Sequence, residues 1–139
     1  MKIKQLLLGT VIIGVIWNIA DFILQGIILK STYESISGYV SMDSINPVWW
    51  ILFDFIQAFL VTWFFRKVMS SFERSPQGAM LFGVFLAIIL AVPTVFIEGI
   101  TVKGFPMWLA WLWLVQYIIY GAVAGYILGM LSKPKIATA

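Results

Sequence analysis

Four long apolar stretches alternate with short polar segments along the chain. Each stretch is close to the ~20 mainly apolar residues that a helix needs to cross a bilayer. The pattern therefore predicts an all-α, polytopic membrane protein, a four-transmembrane-helix bundle that forms one domain over residues 1–139. The predicted spans cover residues 5–29, 47–65, 78–102 and 106–131, and the longer connections are 31–46 and 66–77.

Composition agrees with a membrane location, because 62% of the residues are hydrophobic and only 11% are charged, against about 25% charged in soluble proteins. The Lys and Arg residues lie at the ends of the stretches rather than in a basic stripe, so the net charge of +3 does not predict a nucleic-acid partner. The absence of Cys and His excludes disulfides, thiolate sites and histidine catalysis. No cofactor is predicted.

The basic residues are unevenly distributed between the two sides of the predicted membrane. Seven of the nine Lys and Arg residues lie before the first span, between the second and third, or after the fourth, and only Lys30 and Lys103 lie in the other connections. Since cytoplasmic segments are enriched in Lys and Arg, we predict that both termini and residues 66–77 are cytoplasmic. Residues 31–46 then form an external loop.

Three carboxylates, Asp21, Asp54 and Glu98, lie within the apolar stretches without a Lys, Arg or His at the same depth. An ionised side chain costs roughly 2.5 kcal/mol or more in hydrocarbon, so such residues normally face the interior of a bundle and mark functional sites. At about 1.5 Å per residue, Asp21 lies about 13 Å below Lys30 and Asp54 about 10 Å below Pro47. Glu98 is nearer the surface and is predicted to line an entrance.

Amide side chains occur at similar depths and on the same faces. Asn18, Asp21 and Gln25 recur at helical spacing, and Asp54 shares a face with Gln57. We expect these faces to turn inward and to converge in a pocket that is closed toward the cytoplasm and reached from outside. The candidate ligand-binding residues are Asp21, Asp54, Asn18, Gln25, Gln57, Gln116 and Glu98.

Such a pocket offers oxygen ligands of the kind that a metal cation, a proton or a protonated amine accepts, and the metal identity is left open. The alternative is that the polar side chains hydrogen-bond across helices and contribute about 1 kcal/mol each to packing. We favour that structural interpretation for the amides and the functional one for Asp21. Asp54 is balanced between the two.

Small residues and a proline suggest how the helices pack and bend. Gly121, Gly125 and Gly129 repeat every four residues on the fourth span, a pattern that permits close helix approach within the bundle or between subunits. Pro93 lies inside the third span, where a proline kinks a helix or provides a hinge.

The two halves of the chain also correspond to each other. Residues 22–30 align with 95–103 at Gly, Ile and Lys positions, with Gln opposite Glu. Pro47, Trp49 and Gln57 of the second span also have the same mutual spacing as the Pro, Trp and Gln residues at 106, 108 and 116 in the fourth. We infer two parallel helical-hairpin repeats, and the alternative is chance similarity between apolar segments.

Several short motifs resemble those of a family of small bacterial four-helix integral membrane proteins. In that family an Asn in the first span precedes a polar residue and Gly, and a Gln-Gly step opens a third span containing Val-Pro. The resemblance implies a bacterial inner-membrane location and supplies no established activity. Its members tend to carry His at the position of Gln25, which weakens a metal or proton relay there. The matching segments are Asn18 to Gly26, Gln77-Gly78, Phe82-Gly83 and Val92-Pro93.

Two functions are consistent with these patterns. The first is a small membrane protein that binds a cation, a proton or a small cationic ligand in its outer half, as a minimal transporter. The second is an accessory or assembly subunit of a larger membrane complex, or a homo-oligomer. It would use the glycine stripe for contact, together with the Trp residues near the external ends of the second and fourth spans, Trp49, Trp50, Trp108, Trp111 and Trp113. An enzyme is not favoured, because the spans lack a Ser or Thr with an activating base. Paired aspartates leave intramembrane acid/base chemistry as a minor alternative.

Overall fold

The structure is a computed structural model that describes residues 2–36, 46–69, 71 and 75–132. Within these ranges the regular structure is entirely helical, and the predicted all-α four-helix bundle is confirmed. A π-helical segment continues the first helix, and one short helix follows it. The elements are α1 (Ile3–Asp21), the π segment (Phe22–Ile28), α2 (Lys30–Ser35), α3 (Pro47–Val68), α4 (Pro76–Thr101) and α5 (Met107–Ser132).

Four of these units are long and apolar enough to cross a membrane, which makes the chain a multi-pass membrane protein. They contain 26, 22, 26 and 26 residues, or roughly 33 to 39 Å of helix against a hydrocarbon core of about 30 Å. We call the end of the bundle that carries α2 and the turn between α4 and α5 the α2 end. The other end, where α1 begins and α5 finishes, is the opposite end.

Side-chain caps explain where two of the spans begin. Asn46 accepts a hydrogen bond of 3.0 Å from the Val48 amide, and Pro47 occupies the first turn of α3. In the same way Ser75 accepts one of 2.9 Å from the Gly78 amide, with Pro76 in the first turn. The third span therefore starts two residues before the predicted position.

The prediction that a loop begins at residue 31 is wrong, because Lys30–Ser35 form α2. This helix is docked onto the bundle: Tyr33 and Ile36 are buried in a cluster with Leu29, Phe105 and Leu109. Residues 37–45 of that loop lie outside the described residues. The predicted loop 66–77 is also shorter than expected, since α3 extends to Val68 and α4 begins at Pro76, and positions 70 and 72–74 are not described.

The bundle consists of two antiparallel hairpins, α1 with α3 and α4 with α5. The α4–α5 interface is the most extensive, and the two hairpins meet mainly where α1 contacts α5. Among the described residues α3 and α4 make few close backbone contacts. Large apolar side chains cover the outer surface, as expected for helices that face lipid.

Close approach of α4 to α5 depends on glycines from both helices. A Cβ atom on Gly83 would collide with the backbone carbonyl of Gly121, and one on Gly125 would collide with that of Ala79. A Cβ on Gly129 would lie 2.8 Å from the Ala79 methyl group. The glycine stripe of α5 is therefore used inside the bundle rather than on its surface.

α4 continues through Pro93 as one helix, with the proline exposed on the surface. The missing Pro93 amide leaves the Ile89 carbonyl without its usual helical donor. A hinge at this position stays a prediction.

The proposed repeat also stays a prediction. The two halves do share the hairpin arrangement, but they differ at the segments that align best. Phe22–Ile28 is π-helical, whereas residues 95–101 are part of the regular helix α4.

Candidate functional site

Asp21 and Asp54 come together at the α1–α3 contact. Asp21 ends α1, and Asp54 lies two turns into α3, which runs back alongside it. Their carboxyl groups are within hydrogen-bonding reach of each other. Asp54 is 7% exposed, and its Oδ2 atom is buried with no hydrogen-bond partner among the described residues. A proton or a cation between the two groups would supply the missing donor.

Asp21 is held from the other hairpin by two donors on α5. Gln116 Nε2 donates to Asp21 Oδ1 over 2.5 Å, and the Tyr120 hydroxyl donates to the same oxygen over 2.7 Å. Gln116 also donates to the Tyr120 oxygen over 3.0 Å. Gln116 and Tyr120 are four residues apart, so both side chains leave the same face of α5. These bonds connect the two hairpins through a single carboxylate.

A chain of hydrogen bonds continues from Gln116 to the α2 end. Gln25 Nε2 donates to Gln116 Oε1 over 2.7 Å, and the Tyr33 hydroxyl of α2 donates to Gln25 Oε1. Trp113 Nε1 in turn donates to the Tyr33 oxygen over 3.0 Å. Each donor in the chain is directed toward Asp21, an arrangement in which successive hydrogen bonds polarise one another.

The π segment positions Gln25 within this series of hydrogen bonds. Its hydrogen bonds skip one residue more than those of an α-helix, as in the 2.9 Å bond from the Leu29 amide to the Leu24 carbonyl. The wider turn changes the direction in which later side chains leave the helix, and Gln25 is buried against α5 while its neighbours Ile23 and Ile27 remain exposed. Such π-helical turns occur frequently at functional sites.

A cavity of about 780 Å³ lies at the α2 end and reaches the carboxyl pair. We call it the chamber. Six of the seven residues predicted from the sequence line it, and they come from α1, the π segment, α3, α4 and α5. The six are Asp21, Asp54, Gln25, Gln57, Gln116 and Glu98.

Asn18 does not line the chamber, although its spacing matched that of the other polar residues. Its Nδ2 atom donates to the Gly14 carbonyl over 2.8 Å and to the Ile51 carbonyl of α3 over 3.5 Å. Gly14, four residues before Asn18 on α1, lies against the ring of Phe55 on α3. This part of the face therefore packs against α3, and Asn18 contributes to helix packing.

The three carboxylates do not form a metal site of the usual kind. Asp21 and Asp54 belong to one hairpin, and Glu98 reaches the chamber from α4 in the other. No cluster of three Asp, Glu, His or Cys side chains suited to a metal ion occurs among the described residues.

Aromatic side chains make up much of the chamber wall, a feature that the sequence reasoning missed. The sequence analysis did not include these residues, Trp49, Trp113, Tyr33, Tyr117 and Tyr120, among the candidates for the pocket. The signal that would have found two of them is their spacing, since Trp113 and Tyr120 lie three and four residues from Gln116 on α5. Tyr33 carried no such signal, because its position depends on the docking of α2.

No family model matches the chain, and neither a curated protein nor a solved structure does. The resemblance to small bacterial four-helix membrane proteins therefore stays a prediction. Functional inference depends on the geometry of the chamber itself.

Tyr33 closes the chain of hydrogen bonds at the α2 end. It is 3% exposed, and burial raises the pKa of its phenol above the usual value, against the opposing effect of the hydrogen bond from Trp113. The hydroxyl group therefore stays protonated at physiological pH and serves as a constant donor to Gln25.

Proposed function

We propose that this membrane protein binds a small organic cation in the chamber, with the carboxyl pair of Asp21 and Asp54 as its charged contact. The observation that carries the proposal is the meeting of these two carboxyl groups in the wall of a cavity large enough for a ligand.

The charge of the pair favours a cationic occupant. The predicted spans contain no Lys, Arg or His at this depth, and two adjacent carboxylates repel each other unless a proton or a cation lies between them. Two donors already bind Asp21, whereas the buried Oδ2 atom of Asp54 has none among the described residues. An ammonium group would donate to Asp54 and neutralise the pair.

The wall of the chamber favours an organic cation over a metal ion. Trp, Tyr and Phe rings attract ammonium groups through their faces, and cages of such rings recognise quaternary ammonium ligands. A hard metal ion instead requires several oxygen ligands around one point, and the described residues do not supply three acidic or imidazole ligands in one cluster. Trp49, Trp50, Phe53, Trp113 and Tyr117 contribute rings to the wall.

We further propose that the chamber opens on the outer side of a bacterial inner membrane and serves a minimal transporter. The distribution of basic residues supports this orientation, because seven of the nine precede the first predicted span, lie between the second and third, or follow the fourth. The family resemblance supports the bacterial membrane. A proton shared by Asp21 and Asp54 would be displaced by the cation, which couples binding to proton release.

The alternative of an accessory or assembly subunit receives less support. The sequence feature that suggested a subunit contact was the stripe of Gly121, Gly125 and Gly129, but these glycines pack against α4 of the same chain. The stripe is therefore not a free surface for a partner.

The test is thermal unfolding of the purified protein in detergent with n-butylammonium, compared with neutral n-butanol and with Na⁺, K⁺ and Mg²⁺ salts. We expect n-butylammonium to raise the unfolding temperature and n-butanol to leave it unchanged. Asp21→Asn and Asp54→Asn should each abolish the shift. Glu98→Gln serves as a control for a general loss of negative charge and should retain most of it.

Two outcomes would overturn the proposal. One is the same unfolding temperature with and without the amine. The other is an equal shift in wild type and in both aspartate variants. A shift produced by a metal salt and absent with the amine would identify an inorganic cation as the ligand.

A further inference from the structure

A second cavity, of about 320 Å³, lies between α3 and α4 and is lined almost entirely by apolar side chains. We call it the groove. Its walls include Leu60 and Val61 of α3 and Leu86 and Leu90 of α4, and α5 forms its floor near Gly121. At the end farther from α2 the groove is lined by Phe65 and Phe82, whose ring centroids are 6.3 Å apart.

The groove adjoins the chamber, because five residues line both cavities. Tyr120 is one of them and donates to Asp21, while Gln57 lies one turn beyond Asp54 on α3. The shared residues are Trp17, Gln57, Thr94, Tyr117 and Tyr120.

The groove also faces the surrounding lipid. The described parts of α3 and α4 make few close backbone contacts, and Leu60 and Leu90, which flank the groove, are 52% and 58% exposed. In a bilayer this gap therefore opens laterally to acyl chains. A ligand can therefore reach the five shared residues from the membrane as well as through the chamber.

Two buried polar atoms belong to residues of the chamber wall. Trp17 is 6% exposed and stacks on Tyr120 with ring centroids 5.6 Å apart, and its indole Nε1 is buried with no hydrogen-bond partner among the described residues. The Oδ2 atom of Asp54 is likewise buried with no hydrogen-bond partner among the described residues. Of the two, Asp54 Oδ2 is an acceptor, and an ammonium head supplies the donor that it lacks.

We propose that the ligand is an amphipathic amine, with its ammonium group at the Asp21–Asp54 pair and a single alkyl chain in the groove. This inference rests on the proposed function for the position of the head group, and it adds a binding site for the alkyl chain. The groove has roughly twice the volume of a 150 Å³ cavity that binds benzene, which is room for about a dozen carbon atoms. From Thr94 to Phe82 its length is roughly 18 Å at about 1.5 Å per residue.

The experiment compares n-butylammonium with n-decylammonium, which share a head group, in binding titrations on the full-length protein in lipid nanodiscs. Leu86→Trp fills the groove, and Leu81→Trp places the same substitution on the lipid-facing side of α4, where Leu81 is 54% exposed. We expect Leu86→Trp to weaken n-decylammonium binding at least about tenfold, because several CH₂ groups lose their burial. It should leave n-butylammonium binding unchanged, and Leu81→Trp should alter neither.

The outcomes separate the two proposals. If Leu86→Trp leaves the affinity for n-decylammonium unchanged, the groove does not hold the chain and only the head-group site remains. If neither amine binds wild-type protein more tightly than Asp54→Asn, both proposals are wrong. Equal n-decylammonium binding to wild type and Asp54→Asn would show simple partition into lipid. Should Leu86→Trp fail to fold, Ala87→Met narrows the same groove and replaces it.

Discussion

Gln116 on α5 donates a hydrogen bond of 2.5 Å to Asp21 at the end of α1. The same side chain accepts a hydrogen bond from Gln25, so one amide connects the candidate charged site to the chain of hydrogen bonds that reaches α2. Because it also crosses between the two hairpins, its removal should affect both their docking and the chamber.

Gln116→Leu is expected to lower the free energy of unfolding by about 1–3 kcal/mol, since it leaves the buried amide of Gln25 without an acceptor. Unfolding in mixed detergent micelles measures the change. The matched control is Gln57→Leu, an exposed position on α3, for which we expect a change within about 0.5 kcal/mol. A loss at Gln57 as large as that at Gln116 would contradict the assigned role of the network.

Tyr33→Phe should loosen α2. The substitution removes the donor to Gln25 and the acceptor of Trp113. The native chain lacks Cys, so Ile36→Cys provides a single thiol at a position that is 5% exposed. In that background we expect Tyr33→Phe to accelerate thiol labelling about tenfold, because a lost hydrogen bond raises the open population by about that factor. Tyr126→Phe, on the exposed surface of α5, should leave the rate unchanged.

Stability should also depend on alkaline pH through Tyr33. Its pKa is raised in the folded protein by burial, so its stabilising contribution is complete below about pH 10, the pKa of an unperturbed tyrosine, and is lost as the pH rises further. The unfolded chain releases the phenol proton first, and the slope attributable to this group approaches about 1.4 kcal/mol per pH unit. Unfolding measured between pH 8 and 11 should show a shallower decline for Tyr33→Phe than for wild type. An unchanged decline would show that Tyr33 is not responsible.

Gly83→Ala should destabilise the α4–α5 hairpin. A Cβ atom at this position collides with the backbone of Gly121, and overpacking of this kind typically costs about 1–3 kcal/mol. In Gly26→Ala the nearest atom lies 3.6 Å away, on the Phe22 ring, so this matched variant should be neutral or slightly stabilising. Thermal unfolding of the two variants in the same detergent provides the comparison.

The spans and most of the chamber could be predicted from the sequence because a bilayer restricts the structures that an apolar segment can adopt. An apolar stretch of this length must be helical in lipid, and a carboxylate within it must face the interior. Depth along each helix then brought Asp21 and Asp54 to the same level, where the structure shows their carboxyl groups within reach of each other.

Other features depend on tertiary contacts that periodicity does not report. The π segment changes the direction of Gln25 only where α5 offers Gln116 as a partner. The docking of α2 depends on a cluster that includes Phe105 and Leu109, more than 65 residues away in sequence. Asn18 had the expected spacing, but backbone carbonyls of α1 and α3 satisfy its amide.

The separation of α3 from α4 has a mechanical consequence. The hairpins meet mainly along α1 and α5, so a rotation about that line would change the width of the lateral gap. Asp21 and Asp54 belong to one hairpin and move together, whereas Gln116 and Tyr120 belong to the other. Any molecule that competes for Asp21 therefore removes hydrogen bonds that join the two hairpins, and we expect the angle between the hairpins to change when such a molecule binds.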